Sequence, residues 1–258
     1  MPAEVVENSD PPHCQVCGGG DCSPLIRHRD WTYHRCADCG LVFLHPMLDA
    51  AALAELYSNP DSAGTRAYFR KVGSKLRRAR RRVALLAHEV SGGPAGKQFL
   101  DVGCSGGFTT EAARQAGFQA WGIDPDADAV AHARQHYPGS RFEAGGLEDF
   151  ADSCDVRFDA VYCSEVLEHV ADANRFAAAL SSLMTPDGVL YLTTPDIGHW
   201  RRPRRLPAWD VFTPPHHCLF FSSGNLRRLL ARHHLEIYRR RPAFKPGLKV
   251  LARKLGED

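Results

Sequence analysis

Two pairs of cysteines near the N-terminus constrain the fold most strongly. Each pair has the spacing CxxC, and 18 residues separate Cys14 and Cys17 from Cys36 and Cys39. Zinc prefers tetrahedral thiolate ligands, so the pattern predicts a structural Zn²⁺ held by all four thiols, with no position left for catalysis. Unrelated buried thiols are the alternative, and the repeated spacing argues against them. A module of about 35 residues buries little apolar surface, so metal is expected to supply much of its folding free energy.

The composition is that of an ordinary soluble protein. The chain has 258 residues, 44% of them hydrophobic and 24% charged, which suits one large domain and a small one. No apolar run approaches the roughly 20 residues that span a bilayer, and the N-terminus lacks the apolar core of a secretory signal. Nine cysteines, an odd number, favour metal binding and reduced thiols over disulfides. The sequence therefore predicts a cytoplasmic protein with no membrane partner.

Strand and helix patterns alternate through most of the chain, which predicts an α/β fold. The expected architecture is a Rossmann-like doubly wound, mostly parallel sheet with a small N-terminal zinc-ribbon-like module. Strands are predicted at 98–102, 118–123, 141–144, 158–163, 189–193 and 235–238, and helices at 108–116, 126–136, 173–184 and 222–233.

Five segments are predicted along the chain. A disordered tail covers 1–12, the zinc-binding module 13–46, a helical connector 47–96, the α/β domain 97–241 and a C-terminal tail 242–258. The connector includes a basic helix over 65–90, which is read either as a solvated surface or as a binding face for an anionic partner.

A glycine-rich turn follows the first strand of the α/β domain. Asp101 ends that strand, and Gly103, Gly106 and Gly107 allow the backbone to come close to a ligand at the start of the next helix. Asp124 ends the following strand, where a carboxylate suits a ribose diol. These features alone fit a nicotinamide dinucleotide equally well.

The order of the motifs along the chain indicates which cofactor the turn binds. Four motifs follow one another along the chain. They are Leu100-Asp101-Val102-Gly103-Cys104, Gly122-Ile123-Asp124, Phe158-Asp159-Ala160-Val161 with Glu165-Val166-Leu167-Glu168-His169-Val170, and Pro186-Asp187-Gly188-Val189-Leu190. This order resembles the class I S-adenosylmethionine-dependent methyltransferases. Among them the chain looks most like ubiquinone-type O-methyltransferases and bacterial small-molecule and sugar methyltransferases with an N-terminal cysteine module. The bacterial methyltransferases with a cysteine module also resemble this chain in the sequence Cys36-Ala37-Asp38-Cys39-Gly40-Leu41-Val42-Phe43 followed by Pro46.

The resemblance implies a cofactor site. It assigns Asp101, Gly103 and Ser105 to the methionine end of S-adenosyl-L-methionine, Asp124 to the ribose, Gly146 and Leu147 to the adenine edge, and Cys163 to a place beside the cofactor. The chain departs from the family in three places. Ser105 replaces a frequent glycine, Gly146 replaces a frequent acid for which Glu148 is a candidate substitute, and the final hairpin strand is not evident.

A second cluster is expected to carry the chemistry. Glu165, Glu168 and His169 have helical spacing that would project them to one side. His217, by its spacing to Phe221 and Ser222, resembles a histidine that joins such a cluster in metal-dependent relatives. The resemblance therefore implies a possible Mg²⁺ or other divalent cation on these four side chains. In a metal-free site, Glu165, His169 and His217 are the catalytic candidates, with an imidazole as the general base.

The segment 195–221 is expected to form the acceptor wall. Trp200, Trp209 and Phe212 offer stacking faces or seal the segment, and Arg201, Arg202, Arg204 and Arg205 offer contacts to an anionic acceptor. The predicted reaction is O-methylation of a small-molecule hydroxyl on a sugar, nucleotide-sugar or natural-product intermediate. Methylation of RNA, gripped by the basic helix and the cysteine module, is the first alternative. A non-catalytic cofactor-binding scaffold is the second.

Overall fold

The computed structural model describes residues 11–49, 52–53 and 72–256. Nearly all of the predicted tail 1–12 lies outside the described residues, as does much of the connector. Arg66, Arg70 and Lys71 of the basic stretch belong to that part.

A seven-stranded sheet forms the centre of the larger domain. Its strands are β4 Gln98–Val102, β5 Gln119–Asp124, β6 Arg141–Ala144, β7 Phe158–Ser164, β8 Met184–Pro195, β10 Leu235–Arg240 and β11 Gly247–Lys254. The order is β10-β11-β8-β7-β4-β5-β6. The five strands from β8 to β6 are mutually parallel, and β10 and β11 are antiparallel to their neighbours. The predicted α/β fold with a mostly parallel sheet is confirmed.

Six α-helices accompany the sheet in the described residues: α1 Val72–Glu89, α2 Phe108–Gln115, α3 Ala127–His136, α4 Leu147–Ser153, α5 Ala173–Leu183 and α6 Ser223–Ala231. Side-chain caps explain where three of them begin. Asp126 accepts from the amide of Ala129, Asp172 caps α5, and Ser222 forms a capping box with Asn225. Among the described helices, none is both long and apolar enough to cross a bilayer.

The sheet is covered on both faces, as the alternation along β7 shows. Ala160 and Tyr162 pack into a core that includes α1 and α2, whereas Val161 and Cys163 pack into the core that contains α5. All four side chains are at most 3% exposed. A strand buried on both sides reads as a continuous apolar run, which is the signal that identified it in the sequence.

The cysteine module contributes three strands to a second, smaller sheet. These are β1 Cys22–His28, β2 Trp31–Cys36 and β3 Val42–Leu44, and the fourth strand is β9 Leu219–Phe220. The order is β1-β2-β3-β9, with every neighbour antiparallel. The segment 195–221, expected to form the acceptor wall, thus supplies a strand to the module's sheet.

The module shares its apolar core with the larger domain. Tyr33 and Leu41 are fully buried in the same cluster as Leu226 and Leu230 of α6. The hydroxyl of Tyr33 donates to the carbonyl oxygen of His217 at 2.7 Å. Burial against the larger domain thus contributes to the stability of the module, and the share that metal would supply stays a prediction.

The end of the chain differs from the sequence prediction. Residues 247–254, assigned to the C-terminal tail, form β11, which pairs with β8 from Gly247 opposite Pro195 to Arg253 opposite Val189. This is the final hairpin strand that the sequence did not reveal. Its buried positions Leu248, Val250, Leu251 and Ala252 do not alternate strictly, so the strand period was hidden. The helix α4 was also missed, because only Leu147 and Phe150 of its seven residues are buried.

Substituting Tyr33 by phenylalanine tests the docking of the module. The His217 carbonyl oxygen would lose its donor, so we expect a loss of about 1–2 kcal/mol in the free energy of unfolding and faster proteolysis within residues 11–49. Tyr238→Phe is the matched control, because its hydroxyl donates to Glu89 away from the module. Equal protease sensitivity of the module in both variants would contradict the assigned role of Tyr33.

Candidate functional site

The turn between β4 and α2 requires glycine at two positions. Gly103 has φ +74°, and a Cβ there would lie 2.5 Å from Cγ2 of Val166. Gly107 has φ +75°, and a Cβ there would lie 2.8 Å from the Phe142 ring. Ser105, between them, has φ +46°. A left-handed backbone at this position gives a physical reason for the family's preference for glycine there.

Asp101 fastens the start of α2 to the end of β4. Its Oδ2 accepts from the amide and the hydroxyl of Thr110, at 3.1 and 2.8 Å. The side chain is 2% exposed, and this burial raises the pKa of Asp101 to about 7 although the bonds from Thr110 oppose the shift. The carboxyl thus lies beneath the glycine turn and supports its shape.

Asp124 ties together the turns that follow β4 and β5. Its Oδ2 accepts from the amide of Ser105 at 2.7 Å, and its Oδ1 accepts from the amide of Asp126 at 2.9 Å. Burial raises its pKa, and both amide bonds counteract that shift. Each carboxylate oxygen can accept more than one hydrogen bond, so a ligand hydroxyl can still be bound.

A small cavity of about 130 Å³ lies beyond Asp124, under the turn between β6 and α4. Gly146, predicted at the adenine edge, lines it, whereas Leu147 is buried as the first residue of α4. The carboxylates that line the cavity belong to Glu143 and Asp149, not to Glu148. Sequence reasoning missed these two acids, which lie three residues to either side of Gly146.

Cys163 lies near the carboxyl end of β7 and is fully buried. Its position in β7 is opposite Val102 of β4, so it sits beneath the edge where the turns meet. Burial raises the pKa of its thiol well above the usual range, with smaller contributions from Glu168 and Asp101. The thiol is therefore protonated and unreactive.

The structure brings together three of the four side chains proposed for the chemistry. Glu168, His169 and His217 each place one ligand atom within 4.8 Å of the others. The two imidazole rings meet edge to face, with centroids 4.4 Å apart. The Nδ1 of His169 lies 2.8 Å from the carbonyl oxygen of His216, which makes Nε2 the lone-pair nitrogen of that ring.

Two buried polar atoms of this cluster have no hydrogen-bond partner within the described chain. They are Oε1 of Glu168 and Nδ1 of His217. Burial raises the pKa of Glu168 well above its usual range, and the nearby Glu165 raises it further. Burial likewise lowers the pKa of His169 to about 4 and that of His217 to about 3. Both imidazoles are therefore neutral at pH 7.

The local backbone differs from the helix that the Glu-His spacing suggested. Glu165 has φ +58°, and only Leu167–His169 form a single 3-10 turn. The Glu165 side chain is exposed, and its Oε1 accepts from the hydroxyl of Thr193 at 2.8 Å. Glu165 thus lies outside the group of three. The hydroxyl of Thr194 donates to the Oε2 of Glu168 at 2.9 Å, which makes the end of β8 part of the site.

The four module cysteines form one cluster. All four sulfurs lie within 4.8 Å of one another, and the Sγ pairs of Cys14 with Cys39 and of Cys17 with Cys36 are each 3.4 Å apart. The pKa of Cys36 is lowered to about 7, since burial is outweighed by the amides of Cys39 and Asp38 and by the Cys17 thiol. The geometry fits a single tetrahedral ion with four sulfur ligands.

The aromatic and basic residues of the segment 195–221 differ in their exposure and in their contacts. Trp209 and Phe212 are buried and pack against Phe220, whereas Trp200 is 84% exposed. Arg201 stacks on Phe244, with its guanidinium 3.7 Å from the ring centroid. Arg202 donates to the carbonyl oxygens of Ile197 and Pro203.

The basic face of α1 takes part in packing. Arg82 donates to the Tyr162 hydroxyl, Arg80 donates to the side chain of Gln115, and Lys75 lies over the Phe108 ring at 5.4 Å. Several cations of the stretch therefore hold the helix against the sheet and α2, which favours the reading as an ordinary surface helix.

Comparison with known proteins identifies the larger domain. The family model described as a methyltransferase domain matches residues 68–239. The ubiquinone biosynthesis O-methyltransferases of Methylococcus capsulatus and Xanthomonas axonopodis pv. citri are 39% and 40% identical over 104 and 105 residues. Each match covers 39% of this chain and 44% of the relative, so the chain aligns with less than half of the length of these curated relatives.

Solved structures share the fold. The magnesium protoporphyrin IX methyltransferase of Synechocystis PCC 6803 covers 81% of this chain and 99% of its own, with a TM-score of 0.57 and 20% identity. The 1,6-didemethyltoxoflavin-N1-methyltransferase of Burkholderia thailandensis covers 91% and 100%, with a TM-score of 0.59 and 17% identity. With the family match over two thirds of the sequence and the strand order of its sheet, the chain belongs to the class I S-adenosylmethionine-dependent methyltransferases.

Proposed function

We propose that the chain transfers a methyl group from S-adenosylmethionine to a hydroxyl oxygen of a small molecule. The favoured acceptors are sugars, nucleotide-sugars and natural-product intermediates. The observation that carries the proposal is that the cofactor-binding residues and the Glu-His cluster lie at the same edge of the sheet. Asp124 ends β5 and Glu165 follows β7, and β4 with its glycine turn lies between these strands. Ligands of doubly wound sheets bind at this edge.

The cofactor half uses the turns after β4, β5 and β6. The backbone of Gly103 and Ser105, supported from below by Asp101, holds the methionine end, and Asp124 accepts hydrogen bonds from the ribose hydroxyls. Gly146 and Leu147 border the adenine, with Glu148, Asp149 or the backbone as the partner of its amine, and Cys163 forms part of the floor. When bound, the cofactor supplies an electrophilic methyl group on a sulfonium. The protein contributes orientation, because methyl transfer is an in-line attack.

Replacing Asp124 by alanine should weaken cofactor binding about 10- to 100-fold, because charge-assisted hydrogen bonds to the ribose contribute on the order of 1.5–3 kcal/mol. Binding of S-adenosylhomocysteine measured by calorimetry is the readout. Asp128→Ala is the matched control, since it removes an exposed carboxylate from the first turn of α3. Equal affinity in the Asp124 and Asp128 variants would remove Asp124 from the ribose site.

The acceptor half is built on Glu168, His169 and His217, with Glu165 at its rim. We infer that the buried Glu168 and the half-buried His169 and His217 hold a divalent cation such as Mg²⁺. The two neutral imidazoles suit a divalent transition metal, and Mg²⁺ at this place would need oxygen ligands from water or the acceptor beside the Glu168 carboxylate. The two orphaned buried atoms are otherwise costly. A bound cation lowers the pKa of a coordinated hydroxyl. In the metal-free alternative, His169 or His217 accepts the proton directly, with Glu165 orienting the acceptor.

Chelation separates these two mechanisms. Under the cation mechanism, a mild chelator should abolish methyl transfer and added magnesium should restore it, while the cysteine-bound metal stays in place. His169→Ala and His217→Ala should both lose magnesium stimulation. Under the alternative, activity survives chelation, and one histidine variant is far more impaired than the other. Full activity of both variants would exclude a role for either imidazole and leave catalysis by positioning alone.

The cysteine cluster is proposed to hold one structural Zn²⁺ through Cys14, Cys17, Cys36 and Cys39. Elemental analysis of the purified protein should give about one zinc per chain, and Cys36→Ser should lose it and loosen residues 13–46. Cys22→Ser is the control, since the Cys22 thiol donates to the carbonyl oxygen of Gly19 and lies outside the group of four. A metal-free protein with an ordered module would refute the assignment.

The activity itself is tested by following S-adenosylhomocysteine release from the full-length protein. A panel of hydroxylated sugars, nucleotide-sugars and phenols serves as acceptors, and bulk transfer RNA serves as the competing substrate. Release with a small-molecule hydroxyl supports the proposal. Methylation of RNA with steep salt dependence would favour the first alternative. Cofactor binding without turnover on any acceptor would favour the scaffold.

A further inference from the structure

A groove of about 740 Å³ lies where the cysteine module meets the segment after β8. One wall comes from β1 and β2 of the module, with Leu25, Ile26 and Arg35. The other wall comes from residues 197–208 of the larger domain. Its volume lies within the usual range for small-molecule sites. The groove is separate from the cavity near Asp124, and none of the catalytic candidates lines it.

Three arginine side chains line the groove without partners among the described residues. Arg35, Arg204 and Arg205 are exposed, and none of their guanidinium groups takes part in a hydrogen bond, an ion pair or a cation–π contact there. The fourth, Arg202, is held by two backbone carbonyls and adds a fixed positive charge. Among the residues that the structure describes, no acidic one lines the groove. Positive charge concentrated in a concave site favours an anion.

The remaining lining is aliphatic. Leu25 is 42% exposed, and Ile26, Ile197 and Leu206 extend the apolar surface toward the larger domain. Within the described part of the chain, no aromatic side chain lines the groove, so these walls offer a nucleobase no stacking face. Aliphatic walls beside unpaired guanidinium groups are complementary to a molecule that is both apolar and anionic.

We propose that this groove binds a single anionic amphiphile, with an aliphatic chain against Leu25, Ile26 and Leu206 and a phosphate or carboxylate head beside Arg35, Arg204 and Arg205. Binding of the amphiphile does not itself require methyl transfer. Its position adds a further point, which rests on the proposed function. Ile197 lies two residues beyond Pro195, where β8 ends at the sheet edge, so the amphiphile is the distal part of an acceptor whose hydroxyl reaches the histidine cluster.

Decyl phosphate, kept below its micellar concentration, is the probe. Calorimetry with the full-length protein in the absence of cofactor should show saturable binding of one molecule per chain. The double variant Arg204→Ala/Arg205→Ala should weaken binding about tenfold or more, because it removes two charge-assisted contacts. Leu25→Ser should weaken binding as well while leaving the charge unchanged. Arg227→Ala/Arg228→Ala, on exposed positions of α6, is the control with the same charge change and should bind normally.

Neutral and headgroup-only probes identify what is recognised. Inorganic phosphate binding as tightly as decyl phosphate, or octyl glucoside binding equally well, would overturn the proposal. So would sedimentation with phosphatidylglycerol vesicles that depends on Arg204 and Arg205 while the monomeric probe fails to bind, since the site would then be a membrane surface. Thermal unfolding of each variant verifies folding. Because binding is measured without turnover, failure here is distinguishable from failure of the methyl-transfer assay.

Discussion

The pairing of β3 with β9 is the interaction on which the functional architecture depends. Val42 and Phe43 form ladder contacts with Phe220 and Leu219, which attach the segment after β8 to the cysteine module. The amide of Cys218 also donates to the carbonyl oxygen of Glu168, so the same segment is fixed to the turn after β7. His217 directly precedes these two attachments and is therefore held beside His169 by backbone geometry.

On the cofactor side, the backbone is shaped by two buried carboxylates. Asp101 lies beneath the glycine turn and accepts a hydrogen bond from the amide of Thr110. Asp124 lies at the rim of the turn and accepts from the amide of Ser105. Both carboxyls have a raised pKa because burial disfavours their charge. A ligand that brings hydroxyl or ammonium groups to this edge would favour the charged forms. The turn is thus formed in advance of binding, with its electrostatic cost already present in the free protein.

Much of the fold could be predicted from the sequence, because buried parallel strands and capped helices leave strong local signals. The strands at Gln98 and Phe158 and the helix at Ala173 begin where the pattern placed them. The strand β11 and the short helix α4 could not be found, because too few of their residues are buried in a regular period. In the site, the resemblance to the family located His217. The Glu-His spacing predicted that Glu165 lies near Glu168, which it does, but the helix expected there is a single 3-10 turn. The sequence did not indicate that Arg35 lines the same groove as Arg204, because the two residues come together only when distant segments pack.

The hydrogen bond between Tyr33 and His217 joins residues 184 positions apart in the chain. During synthesis the cysteines therefore emerge long before the strand that completes their sheet. Until then, the apolar face that Tyr33 shares with Leu44 has no partner from the larger domain, and closing so long a loop is slow relative to local folding. Early metal capture would hold the four thiols in register over this interval and protect them from wrong pairing. The ion would then matter as much for the route of assembly as for the finished molecule.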